Sequence, residues 1–125
     1  MTNQKNKQIA IDFLNTVMAR KIDEAYKKYV DIDGKHHNPH SPTGFRALKD
    51  AMKDAHNQFP DAQITIKNVI GDDDLVSVHS HVIMKPKEIE MIAFHLFRIK
   101  NEKIVEFWDC AQMIKPDSQN KDGEF

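Results

Sequence analysis

The chain has 125 residues, enough for one folded domain and too few for separate cofactor and substrate modules. It is 40% hydrophobic and 30% charged, ordinary globular composition, and 18 Lys and Arg against 19 Asp and Glu leave a net charge of −1, without the basic footprint that nucleic-acid binding requires. Cys110 is the only cysteine, so an intrachain disulfide and a Cys-rich zinc site are excluded; with a polar start and no apolar run near the ~20 residues of a membrane span, a cytoplasmic protein with neither nucleic acid nor membrane as partner is expected.

From Lys7 to Val17 the apolar residues Ile9, Ala10, Phe13, Leu14 and Val17 recur on one face of a helix. After a break at Arg20 and Lys21, the spacing resumes with Ile22, Ala25, Tyr26 and Tyr29, a short second helix that Asp23 could cap. Asp31 to Gly44 carries Gly, Pro, Asn, Ser and His without an apolar period and reads as a structured loop. Phe45, Leu48, Met52, Ala55 and Phe59 mark a third helix, stopped by Pro60, with His56 expected at its surface. Beyond Pro60 the period becomes two. Strands are expected around Ile64 to Ile70, from Leu75 to Lys85, from Ile89 to Ile99 and from Lys103 to Met113, with turns at 71–74, 86–88 and 100–102. Residues 115–125 have the composition of a disordered tail, which leaves 1–114 as one domain.

Helices followed by strands joined through short turns predict the α+β class: a cone-shaped barrel of curved, mainly antiparallel sheet wrapped on three N-terminal helices. Small-molecule sites favour such a cavity. Strand alternation suggests which side chains share its wall. Leu75, Ser77, His79, His81 and Ile83 lie on one face of their strand, and Val105, Phe107, Asp109, Ala111 and Met113 on one face of theirs. Treating the turns at 86–88 and 100–102 as three-residue connections puts His79 opposite His95, His81 opposite Ala93, Ala93 beside Asp109 and His95 beside Phe107. Adjacent strands are about 4.8 Å apart, so the ends of such a row lie about 10 Å apart, within reach of one substrate.

Asp109 is the member of most chemical interest, because a carboxylate among apolar face-mates is poorly solvated and poised for proton exchange. His79 and His81 could stabilise an oxyanion or pass a proton. In the loop from Lys35 to His40, Pro39 holds Asn38 extended, and one of His37 and Asn38 is expected at the cavity mouth. Trp108 alternates away from Asp109 and, with Ile104 and Cys110, is expected on the outer sheet face or at a dimer interface.

Three segments, His37-Asn38-Pro39, Gly71 to His81, and Phe97-Arg98 through Lys103 to Asp109, together resemble the SnoaL-like polyketide cyclases of the nuclear transport factor 2-like superfamily. The resemblance implies a helix-lined cone with a deep pocket, a homodimer paired through the outer sheet face, and cofactor-free acid and base chemistry with no metal. Carried over by motif, it matches His37 and Asn38, His79 and His81, and Trp108 and Asp109, with the acid or base role best fitting Asp109. Together with the shared strand faces, Asp109, His79 and His81 are the expected catalytic residues and His37, Asn38, His95, Phe107 and Trp108 the expected substrate-binding residues. Phe107 stands where the family usually has His, Glu102 where it has a turn Gly, and His95 where many members carry Asp. The function expected is binding of a small hydrophobic carbonyl compound with aldol-type, isomerase or lyase chemistry. The alternatives are a non-catalytic small-ligand binding protein, or a metal site built from His79, His81, His95 and Asp109.

Overall fold

The computed structural model describes residues 2–125. In chain order the elements are α1 (Thr2–Met18), α2 (Ile22–Tyr29), β1 (Val30–His36), α3 (Phe45–Gln58), β2 (Gln63–Asp72), β3 (Leu75–Lys85), β4 (Ile89–Lys100) and β5 (Lys103–Met113). The strands form one open, curved sheet in the order β1-β5-β4-β3-β2, antiparallel except where β1 runs parallel to β5. This is the α+β arrangement expected, with a mixed edge.

Helix α1 begins earlier than its apolar period, because its first turn rests on the sheet. A side chain at Gly71 of β2 would collide with Asn3, and Lys5 pairs with Glu102 in the β4–β5 turn. Arg20, at φ 67°, ends the helix run and donates to the carbonyl oxygens of Met18 and Phe59. Asp23 does not cap α2, whose N-cap is Lys21 without a side-chain bond; it reaches instead to Lys49 and Lys53 of α3.

Most of β1 falls inside the loop expected over 31–44. Asp31, Asp33 and Gly34 are poor strand formers, and the partner strand β5, far off in sequence, supplies the pairing. Gly34 is required where β1 crosses β5, since a Cβ there would meet the Val105 carbonyl oxygen and the Phe45 ring. Beneath this crossing lies an aromatic core in which Phe13, Tyr26, Phe45, Phe97 and Phe107 meet edge-on or tilted.

Two β-bulges decide which side chains face the helices. At the end of the β3–β4 hairpin Lys85 pairs with Ile89, as the three-residue connection requires, but a register shift at Met84 moves the remaining pairs by one, so Ile83 meets Glu90 and Val78 meets His95. Val76, Val78, Ser80 and Val82 therefore face inward, while His79 and His81 face outward. The β4–β5 connection is a two-residue turn with Asn101 and Glu102 both at positive φ. A further shift above it turns Ile104 inward, correcting its expected place on the outer face. Residues 115–125, expected to be a disordered tail, carry only turns, and the ring of Phe125 lies over His79 and His81 on the outer face.

Candidate active site

Helix α3 packs chiefly against β1 and α2, which leaves room between it, α1 and the inner face of the sheet. A cavity of about 340 Å³ fills that room, at the small end of the range for ligand pockets. Phe13, Val17, Leu48, Met52 and Val82 give it apolar walls. By contrast, the cleft between the start of α2 and the end of α3 is lined mainly by charged and polar side chains. Among the described residues no Lys or Arg lines the apolar cavity; its polar residues are Asn38, His40, Ser41, His56, His95 and Asp109.

Asp109 and His95 are direct cross-strand partners on the inner face of β5 and β4. The loop after β1 delivers Asn38 to them, and its orientation is over-determined. Asn38 Oδ1 accepts from the His40 backbone N–H at 2.8 Å, so the amide nitrogen must face the other way, where it donates to Asp109 Oδ2 at 3.0 Å. His36 fastens the same loop: its Nδ1 accepts from the Asn38 N–H at 3.1 Å and its Nε2 donates to the Pro42 carbonyl at 2.8 Å, a pairing that fixes the neutral tautomer. The His36 ring lies 6.3 Å from that of Phe45, and it holds the loop that positions Asn38.

The rest of the pair is unsatisfied. Asp109 Oδ1 and His95 Nδ1 are both buried and have no hydrogen-bond partner among the described residues. Burial pushes the His95 imidazole down to about 4, against a smaller upward pull from Asp109, so it is neutral at pH 7. Phe97 and Phe107 pack against its ring at 6.2 and 5.7 Å between centroids. Tyr26 feels the same carboxylate: burial first, and then the charge of Asp109, raise its phenol above the ordinary range.

The remaining expected site residues lie elsewhere. His79 and His81, expected beside Asp109, are on the opposite face: His79 stacks on Phe94 at 4.6 Å and accepts from Asn68, and His81 pairs with Glu90 at 2.9 Å. His37 and Trp108 also lie on the outer side, stacked on each other at 5.0 Å, with His37 bonded to Glu106 at 2.7 Å. Phe107 is a core residue beneath His95 and does not line the cavity. The alternative metal set of His79, His81, His95 and Asp109 is split between the two faces, and among the described residues no three His, Cys, Asp or Glu side chains converge. Sequence reading missed two inward polar residues, Ser80, whose buried Oγ lacks a partner among the described residues, and His56, which is 8% exposed and lies between the cavity and the charged cleft, lining both.

The model of the SnoaL-like polyketide cyclases matches residues 8–120, nearly the whole chain. The chain is a member of that family. No curated protein matches it by sequence. Among solved structures, this SnoaL-like chain is similar to AclR from Streptomyces galilaeus, assigned as a hydroxylase, with TM-score 0.76 and 17% identity over 89% of this chain and 81% of that one. It is also similar to a protein assigned as a polyketide cyclase from Acidithiobacillus ferrooxidans, with TM-score 0.71 and 21% identity over 86% and 88% of the two chains. An LEH-like epoxide hydrolase from M. tuberculosis gives TM-score 0.70 and 13% identity over 90% and 86%. At these identities the likeness shows the nuclear transport factor 2-like fold alone, which hosts several chemistries.

Proposed function

We propose that this SnoaL-like domain binds a small, mostly apolar carbonyl compound in the cavity and moves a proton at the carbon beside the carbonyl. The observation that carries the reading is the cross-strand pair Asp109 and His95: one carboxylate oxygen is held by Asn38, while the other, like the His95 Nδ1, is buried without a partner among the described residues, in a chamber whose walls are mostly apolar. A buried polar atom left unsatisfied costs about 1–3 kcal/mol, and a substrate that meets it recovers that cost.

In this reading Asp109 takes the α-proton on its free oxygen and returns it to the product. Neutral His95 donates an N–H to the developing enolate oxygen, a task an uncharged imidazole performs without holding a fixed positive charge in an apolar site. Asn38 keeps the carboxylate aimed. Aldol-type cyclisation, isomerisation and lyase chemistry all begin with this proton transfer.

The test is deuterium incorporation into the α-positions of 4-phenylbutan-2-one in D2O, followed by NMR. The enzyme reading expects exchange well above the buffer rate. Binding of the ketone with exchange at the buffer rate would instead make the protein a non-catalytic carrier. The resemblance also implied a homodimer; Ile70, 68% exposed, and Phe94, 50% exposed, are apolar residues on the outer face and support pairing of two such faces. A monomeric mass in solution would count against it.

A further inference from the structure

We infer that His56 is a second polar anchor of the cavity, a binding and specificity residue that takes a neutral hydroxyl or carbonyl group which the substrate carries away from its reacting carbonyl. The inference rests on the carbonyl-compound reading above and adds to it what the other end of the molecule must be.

His56 continues the row Leu48, Met52 at a spacing of four along α3, the stripe that faces the cavity, so helix periodicity calls for hydrocarbon there. Instead the position holds an imidazole whose Nδ1 is buried and has no hydrogen-bond partner among the described residues. The common structural reason for a histidine in the last turn of a helix is attraction between its positive charge and the terminal carbonyl groups. That reason fails here, because burial and then the neighbouring Arg20 lower the pKa and keep the ring uncharged at neutral pH. A leucine or methionine would fill the same volume without leaving a nitrogen unsatisfied.

His56 belongs to the helical wall and Asp109 and His95 to the sheet wall of the same chamber, with apolar side chains such as Phe13, Met52 and Val82 also lining it. The complementary ligand has an apolar body and two separated polar groups. Among the described residues no Lys or Arg lines the chamber itself, Arg20 standing near His56 in the adjoining cleft, and a carboxylate already lines it, so two neutral groups fit it better than a ligand carboxylate or phosphate.

A matched pair of probes tests this: 4-(4-hydroxyphenyl)butan-2-one, which has a ketone at one end and a phenol at the other, and 4-phenylbutan-2-one, which lacks the phenol. Calorimetric titration of the wild-type protein is expected to give about tenfold tighter binding of the hydroxylated compound, the scale of one good hydrogen bond in a dry site. In His56→Leu that preference falls to about one, with 4-phenylbutan-2-one bound as before. In the wild-type protein the 15N resonances of the His56 ring shift on addition of the hydroxylated ketone and stay in place with the other, a readout that needs no variant to fold. Equal binding of the two compounds, or a preference that survives His56→Leu, overturns the inference while leaving the Asp109 reading standing. Binding of neither compound at millimolar concentration overturns the cavity reading and this inference together.

Discussion

The two faces of the sheet carry similar side chains in different states. On the outer face every histidine has a partner: His37 has Glu106 and Trp108, His79 has Asn68 and Phe94, and His81 has Glu90. Glu106 and Glu90 are correspondingly held below the usual carboxylate range, Glu106 chiefly by its bond from His37, and Glu90 by the Lys87 N–H and then by His81. On the inner face His95 and Asp109, which line the chamber, each keep a buried polar atom without a partner among the described residues. Satisfied polar groups are explained by the fold itself, whereas unsatisfied ones in a chamber call for something that enters it. The contrast separates the residues that brace the sheet from those proposed to act.

Substitutions on both faces bear on that contrast. Asn38→Ala removes the one side-chain hydrogen bond to Asp109 among the described residues and should lower α-proton exchange about 10- to 100-fold, at a stability cost of about 1–3 kcal/mol; an unchanged exchange rate would place Asn38 with the bracing residues. Gly34→Ala drives a methyl group into the Val105 carbonyl where β1 crosses β5, just before the loop that carries Asn38. It should cost about 2–3 kcal/mol in denaturant unfolding and reduce exchange as well.

His95 makes stability depend on pH. Its pKa is about 4 in the folded chain against an ordinary 6.5, so as pH falls below 6.5 the unfolded chain takes up the proton first and the fold loses stability down to about pH 4. The loss should reach about 2 kcal/mol by pH 5, seen as a falling melting temperature, and His95→Phe should flatten it. His56 acts in the same direction, while Glu90 and Glu106, with lowered pKa values, contribute only below the ordinary carboxylate range. The smallest effect belongs to the outer face. His79→Ala with His81→Ala should leave exchange within about twofold and the melting temperature little changed, since the His81–Glu90 contact is a partly exposed hydrogen bond. A large loss of exchange would restore these two histidines to the site.

Element order and type were largely legible in the sequence, because long periodic stretches such as Phe45 to Phe59 and Leu75 to Lys85 carry their own period. β1 was not, since Asp31, Asp33 and Gly34 form a strand only once β5 lies beside them. The partnership of His95 and Asp109 follows from parity: the expected β4–β5 pairing differs from the observed one by two residues, which keeps both on one face. His79 and His81 were misplaced by an error of one residue, introduced by the bulge at Met84, which hairpin arithmetic cannot see. A local signal did exist. Val76, Val78 and Val82 alternate with Ser77, His79 and His81, a pattern of apolar inside and polar outside that assigns the histidines to the exterior. His56 was legible in the same way, as a polar residue at an apolar position of the Leu48 and Met52 stripe.

Asp109→Asn, compared with the wild-type chain by deuterium exchange into 4-phenylbutan-2-one, tests the proposed chemistry most directly. The substitution preserves shape and leaves the Asn38 side an oxygen to donate to, so melting temperature and ketone affinity should stay close to wild type while the enzyme-dependent exchange falls by about 10² to 10⁴. Exchange that continues at the wild-type rate in a folded, ligand-binding Asp109→Asn protein would contradict the assignment of the proton transfer to Asp109.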